Sequence, residues 1–557
     1  MPSAVLRAGA TLVVLAACPA IAQISYVPLN DPTFDLREIG YLKASNAEAY
    51  DHFACGGASP SHTGNSIAIS RDGLTMAIGA PHESSGAAGI NGDQDDNSIF
   101  GSGAVYVFVR VNDGAPWRQQ AYVKASNPGL LDHFGSSVAL SAEGNVLAVA
   151  AHFESGGDSG VNGDDSDDSV PQAGAVYVFE RAGDDWSQEA YIKASNPGNA
   201  GTGDDFGDGD QFGYSLALSA DGRTLASGAI AEDSGARGVN GDQDDDSVIS
   251  TGAVYVFVNE RGRWRQQAYL KASNSEQGDL FGFAIGLSAD GDTLVASSYD
   301  EDGGARTING DEDDNSAPAA GALFVFERER GAWRQTTYLK GSRIERTDQL
   351  GYSVAISDDG NTIASGLGDE DCLTPGVNPT GCDDDSMPEV GGNVWVGAAY
   401  VFVRDGDTWA EEAFVKASNP RPYNSYGVKI ALSGDGNTLA VPAYLEDEGA
   451  RGIFGPEPYP LMIVPNLDPW REGLGEAVES GAVYLYTREH AEWRQRAYIK
   501  ASNADIGDEF GSALALSVDG RLLAVGAHNE SGAGQGLSGD ASDNSAPQAG
   551  AVYLFAH

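Results

Sequence analysis

The sequence predicts an all-β protein: a seven-bladed β-propeller of four-stranded antiparallel blades, closed into a ring by its N-terminal strand. Three observations predict it. One block of sequence recurs seven times between residues 41 and 555. Each block reads as four short strands bounded by turn residues. The last block lacks its fourth strand, and the N-terminal segment carries a spare one.

Four markers define the block. Y-x-K-A-S-N starts at Tyr41, Tyr122, Tyr191, Tyr269, Tyr338, Phe414 and Tyr498, with drift to YLKGSR at Tyr338. D-x-F-G follows at Phe134, Phe212, Phe281 and Phe510; it is degraded at Leu350 and Tyr426, and broken after Phe53 by an insertion. S-V-A-L-S-x-D-G-x-T-L-A-V-G-A comes third. G-A-V-Y-V-F closes the block, ending at Phe108, Phe179, Phe257, Phe326, Phe402, Tyr486 and Phe555.

S-V-A-L-S reads as the first strand, and the x-D-G-x after it as a tight hairpin turn. T-L-A-V-G-A is the second strand. G-A-V-Y-V-F is the third, apolar at every position, so both of its faces should be buried; a sheet wet on one face would alternate. W-x-Q-x-A-Y-x-K-A is the fourth, opened by Trp117, Trp186, Trp264, Trp333, Trp409 and Trp493. Four-stranded sheets stacked around an axis bury both faces in this way. No fourth strand remains after Phe555, whereas Tyr41–Asn46 stands alone with Leu36 in the Trp position. The N-terminal segment should therefore complete the last blade and leave no open edge.

The chain has 557 residues, with 81 acidic against 33 basic and a net charge of −48. That balance argues against nucleic acid as a partner, because neutralising phosphates needs clustered Lys and Arg. It argues equally against anionic membrane surfaces. Residues 1–22 read as a signal peptide: Arg7, then an apolar stretch from Ala8 to Ala17 too short to span a bilayer, then Ala20-Ile21-Ala22 as a cleavage site. Leu15-Ala16-Ala17-Cys18 offers a second reading, an outer-membrane lipoprotein anchored at Cys18, beside secretion to the periplasm, cell surface or medium. No later segment is apolar enough for a transmembrane helix. The propeller then occupies residues 23–557, with insertions at 54–63, 369–396 and 452–479. Cys372 and Cys382 lie ten apart in one exported loop and are expected to form a disulfide. Cys55 is left over.

The F-G pair, Gly79-Ala80-Pro81 in blade one and G-A-V-Y-V-F, in this order within a block that recurs seven times, resemble the FG-GAP repeats of the integrin α-chain head and its bacterial relatives. The resemblance implies a seven-bladed propeller, often extracellular and often calcium-bound. One departure matters. The calcium loop of that family, D-x-D-x-D-G-x-x-D, fills the hairpin between the first two strands. Here that hairpin is only S-A-D-G or similar, too short to wrap an ion.

The carboxylates sit instead between the second and third strands. The loops read NGDQDDNS from Asn91, NGDDSDDS from Asn162, NGDQDDDS from Asn240, NGDEDDNS from Asn309 and SGDASDNS, with Asp540, from Ser538. Oxygen side chains recur at alternate positions: Asn91, Asp93, Asp95, Asn97; Asn162, Asp164, Ser166, Asp168; Asn240, Asp242, Asp244, Asp246; Asn309, Asp311, Asp313, Asn315. Ca²⁺ takes about six to eight oxygens, and alternate oxygens around a Gly-containing turn can supply the first of them. The bidentate acid that completes an EF-hand is missing. Glu83, Glu154, Glu232, Glu301 or Glu530 could stand in for it. A competing reading treats these loops as good turns and solvated surface. By topology they share one face of the ring with the D-x-F-G aspartates Asp132, Asp210, Asp279 and Asp508, so acidic charge should concentrate there.

Nothing in the repeats looks catalytic. The eight histidines fall in no consistent column; His52 and His133 share one because the blades are copies. Ser126, Ser195, Ser273, Lys124, Lys193 and Lys271 belong to K-A-S-N and read as structural. Function is expected where the repeat breaks. Blade six replaces its acidic loop with a long insertion carrying Tyr459, Trp470 and Arg471, and blade five carries Trp395; these residue types dominate binding hot spots. The sequence thus reads as an exported, non-catalytic binding or adhesion scaffold, stabilised by Ca²⁺, with an extracellular protein or glycan as ligand. The alternative is a metal-dependent extracellular hydrolase or lyase built on the same ring.

Overall fold

The structure, a computed structural model, describes residues 34–55, 64–198, 209–382, 395–455, 477–536 and 541–557. The signal-peptide reading lies outside the described residues. All described elements are strands, in seven antiparallel sheets. The N-terminal strand is β1 (Arg37–Leu42). Blade one contains β2 (Ile67–Ile69), β3 (Thr75–Ala80), β4 (Ala104–Val109) and β5 (Arg118–Val123), hydrogen-bonded in that order. All six residues of β4 are buried, as its unbroken apolar run predicts. β5 is wet at its start and buried at its end.

The ring closes as the missing strand implies. β1 pairs antiparallel with the last strand, Ala551–Ala556, Tyr41 opposite Tyr553 and Leu42 opposite Val552. Leu36 is buried, like the indoles whose place it takes.

Two blades depart from four strands. Gly376–Val377 adds a fifth strand outside Thr408–Lys416 in blade five, and Gly452–Phe454 does the same outside Glu492–Lys500 in blade six. The cause is the path of the loop between the second and third strands. It crosses the blade and runs back along the outer edge of the fourth strand. In blades one to three the same pairing is a single bridge, Ile90 to Val123, Val161 to Ile192 and Val239 to Leu270.

The hydrophobic cores lie between neighbouring blades. Phe134, the F of D-x-F-G, is buried edge-on to Tyr177 and Phe179, with ring centroids 5.3 and 6.1 Å away. Its neighbour Gly135 holds φ +96° and passes so close to Gly79 that a Cβ there would come within 1.9 Å of the Gly135 carbonyl. Only glycine fits such an approach.

At the opposite end of the ring, the hairpins between first and second strands form their own circle. Ser70 Oγ accepts from the Thr75 N–H at 2.9 Å and donates to Asp72 at 2.6 Å. The hairpins are then linked blade to blade by backbone bonds: Arg71 N–H to Ala142, Ala142 to Ala220, Ala220 to Ala289, Ala289 to Asp358, Asp358 to Gly434, and Asp435 to Val518. The Arg71 guanidinium also reaches Asp358 at 2.6 Å, joining blade one to blade five.

Cys372 and Cys382 form the expected disulfide, with Cα atoms 5.4 Å apart. Cys55 is buried and outside it.

Candidate functional site

Each acidic loop lies over the outer rim of its blade, and its residues have separate tasks. Asn91 takes φ +54° and pairs with Tyr122 through both its N–H and its side-chain oxygen. Asn162, Asn240 and Asn309 repeat this against Tyr191, Tyr269 and Tyr338. These asparagines extend the sheet, each side-chain oxygen accepting a tyrosine N–H. Asp93 accepts the Asp95 N–H at 3.1 Å, Asp242 that of Asp244, and Asp311 that of Asp313, which are local turn bonds. Asp164 likewise takes both the N–H and the hydroxyl of Ser166. Asn97 and Asn315 donate to Glu48 and Glu276 in the preceding connection. Asp93, Asp95, Asp242, Asp244, Asp311 and Asp313 stay exposed, as do Asp168 and Asp246. Asp540 lies outside the described residues. Among the described residues these loops bring no three carboxylates within 4.8 Å of one another. The oxygen set read from the sequence is therefore divided between turns, sheet edge and solvent.

The upstream glutamates have another partner. Glu83 is buried and receives Lys124 at 2.9 Å, the Tyr122 hydroxyl at 2.8 Å and the Ser85 N–H at 3.1 Å. Asn46 of the preceding blade donates to it at 3.3 Å, and the Tyr106 hydroxyl donates to Asn46. The same clasp holds Glu154 to Lys193, Glu232 to Lys271, Glu301 to Lys340, Glu370 to Lys416, Glu446 to Lys500 and Glu530 to Lys43. Glu83, Glu154, Glu232, Glu301 and Glu530, read from the sequence as stand-ins for the missing acid, are each engaged by a buried lysine instead. A buried carboxylate needs a cation and donors of its own, and the lysine and tyrosine of K-A-S-N provide them. Burial pulls the Lys124, Lys193 and Lys271 amines below their ordinary range while the paired glutamate opposes it.

The D-x-F-G aspartates are also internal. Asp51, Asp132, Asp279 and Asp508 each accept an N–H from three residues upstream, at 2.7 to 3.0 Å. Burial pushes Asp51 up to about 8 and Asp132, Asp279 and Asp508 up to about 7; Asp210 rises well above the usual carboxylate range for the same reason. They add less charge to this face than their count suggests.

The inner rim of that face holds a cluster that the sequence did not disclose. Five of the eight histidines stand in an arc across blades seven, one and two. His528 lies 5.5 Å from His52, His52 lies 4.7 Å from His82, and His82 stacks on His133 at 4.9 Å with the rings 4° apart. His152 follows at 6.0 Å, its Nδ1 2.9 Å from Ser136 Oγ. Glu509 comes within 3.6 Å of His528 Nε2. Lys429 is half-buried nearby and donates to the Gly64 carbonyl; desolvation pushes it down to about 7. Burial likewise holds His52 down to about 4 and His528 to about 3, and lifts Glu509 to about 7. Farther round the mouth the lining turns aromatic: Phe283 stacks on Tyr299 at 3.9 Å and meets Tyr214 and Tyr352 at 5.4 and 5.5 Å. His52 and His133 precede the F of D-x-F-G, His152 and His528 directly follow a second strand, and His82 comes one place later. Only superposing these offsets on a closed ring brings them together.

Of the residues read as ligand contacts, Trp395 is described. It is 48% exposed, and its carbonyl accepts the Ser425 N–H beside the mouth. Tyr459, Trp470 and Arg471 lie outside the described residues.

The architecture defines the class: a seven-bladed propeller with inter-blade clasps. Residues 117–179, 264–326 and 493–555 match the FG-GAP repeat model, each running from a fourth strand into the next blade's third. Ring and repeats together fit an FG-GAP repeat protein resembling the integrin α-chain propeller. No curated protein sequence matches the chain. Two solved structures are similar at a distance. A candidate 6-phosphogluconolactonase from Bacteroides uniformis has 10% identity and a TM-score of 0.42, covering 80% of this chain and 88% of its own. The periplasmic gluconolactonase PpgL of Pseudomonas aeruginosa has 12% identity and a TM-score of 0.44, covering 85% and 98%. At that distance neither bears on chemistry. No helix among the described residues is long and apolar enough to cross a membrane.

Proposed function

We propose that the chain is an exported binding scaffold whose ligand face is the mouth of the ring on the side of the acidic loops, with a protein or glycan as ligand. The supporting observation is how the repeated polar residues are used. The Lys, Glu and Asn columns join blades or close sheets, whereas Trp395, where blade five departs from the repeat, is left exposed beside that mouth. Tyr459, Trp470 and Arg471 belong to the same reading. Calcium enters as a stabiliser carried by the exposed aspartates Asp93 and Asp95, Asp242 and Asp244, and Asp311 and Asp313. FG-GAP repeats occur in extracellular proteins, which agrees with export. The test is binding of the purified protein to arrayed glycans and extracellular-matrix proteins, with Trp395→Ala alongside. Selective binding that Trp395→Ala weakens tenfold or more, about 1.4 kcal/mol, supports the reading. Binding indifferent to both Trp395→Ala and Trp470→Ala overturns it.

A second reading, a hydrolase or lyase, has one observation in its favour: the five histidines and Glu509 at the mouth. Turnover of an ester, lactone or glycan by the pure protein, abolished by Glu509→Gln, would establish it.

A further inference from the structure

The geometry points to a transition-metal site in the histidine arc: His52, His82 and His528, at the inner rim between blades seven and one, hold one divalent ion of the copper, nickel or zinc kind through imidazole nitrogen. This goes beyond the scaffold reading and does not depend on it.

Three features carry it. The first is spacing. Imidazole nitrogen binds such ions at about 2.0–2.1 Å, which sets two rings on one tetrahedral ion with their centroids about 5 Å apart. His52 lies 4.7 Å from His82 and 5.5 Å from His528. The second is the state of individual nitrogens. His528 turns Nε2 toward the Glu509 carboxylate, 3.6 Å away, and its Nδ1 is buried with no hydrogen-bond partner among the described residues. A carboxylate behind one nitrogen, with the other left for the ion, is how protein histidines are oriented on metals. His52 Nδ1 is buried in the same condition. The third is that the fold has no need of histidine here. The His528 position is filled by Ile230, Tyr299 and Tyr444 in other blades, and the His52 position by Leu280 in blade four. Ordinary packing would be met by those residues without burying bare nitrogens.

Imidazole selects copper, nickel and zinc over calcium, which prefers oxygen. The site is therefore distinct in chemistry from the acidic loops. No three of the arc's donor atoms lie within 4.8 Å of one another, so seating the ion turns the rings about their Cβ–Cγ bonds.

The experiment is a Cu²⁺ titration of the chelator-stripped, desalted protein in excess calcium, read by calorimetry and electron paramagnetic resonance. One equivalent per chain with nitrogen hyperfine splitting is expected. His52→Gln and His528→Gln should each weaken it at least tenfold, and His490→Gln, outside the arc, should leave it unchanged. Should a variant fail to fold, the wild-type spectrum decides alone. Oxygen-only ligation, no bound equivalent, or unchanged binding in both arc variants overturns the site. None of these outcomes touches ligand binding through Trp395, so the two proposals fail separately.

Discussion

Lys124 Nζ lies 2.9 Å from Glu83 Oε2, and both side chains are buried. Removing one member leaves the other charged in a dry interior, at a cost of about 3–5 kcal/mol. Lys124→Met should lower the denaturation midpoint sharply. Lys124→Met with Glu83→Leu should recover much of the loss, since no charge is then stranded. A double variant as unstable as the sum of the singles would contradict this account.

Phe324 stands where Tyr106, Tyr177, Tyr255, Tyr484 and Tyr553 donate to the clasp asparagine of the preceding blade. Its asparagine, Asn274, has a buried Oδ1 with no partner among the described residues. Phe324→Tyr should restore the bond and raise stability by about 1 kcal/mol. A neutral or destabilising result in thermal melts would show that the hydroxyl does not fit.

Deleting residues 34–46 should expose the edge of the last blade, whose strand Ala551–Ala556 pairs with β1. Aggregation in size-exclusion chromatography, or a large fall in melting temperature, is the expected outcome. A truncated chain that melts like the parent would refute closure by β1.

How much of this was legible in the sequence depends on distance along the chain. The blades, the borrowed strand and the disulfide were, because each is a local pattern or a break in one. The Glu83–Lys124 pair was not: its members belong to different markers, and the alternating oxygens drew Glu83 toward an ion instead. The asparagine of N-G-D read as a ligand because its bond to Tyr122 spans a sheet edge that the four-strand pattern does not contain. The histidine arc was invisible because His528 and His52 meet only after ring closure.

Stability should depend on pH through two sets of groups that act with opposing signs below neutrality. Asp51, raised to about 8, and Asp132, Asp279 and Asp508, raised to about 7, hold more protons folded than unfolded. Their contribution is complete below the unfolded carboxyl value of about 3.9 and is lost as pH rises from there to about 7 or 8, on the order of 1 kcal/mol per pH unit for each group. His52 and His528, lowered to about 4 and 3, act the other way. Their contribution is present above the ordinary histidine value of about 6.5 and is lost as pH falls below it. On these groups melting temperature should peak at about pH 4, because four falling carboxyl contributions outweigh two rising histidine ones between about pH 4 and 6.5, and Asp132→Asn should flatten the descent above it. A monotonic rise to pH 9 would contradict the assignment.

Chelation tests the calcium proposal. Melting in millimolar calcium should exceed melting in EDTA, by about 2.7 kcal/mol per site at a hundredfold excess over Kd. Asp93→Ala, Asp242→Ala and Asp311→Ala should each remove part of the gain. Coincident curves would remove calcium from the account.

The linked hairpins and the Arg71–Asp358 bridge make the two ends of the axis unequal. A solute arriving among the histidines and aromatic rings meets a different lining at the far end, where the Arg71–Asp358 pair reaches from blade one to blade five. The ring therefore has two chemically different doors, imidazole and aromatic rings at one and a guanidinium–carboxylate pair at the other, and a solute would be sorted by which door it meets first.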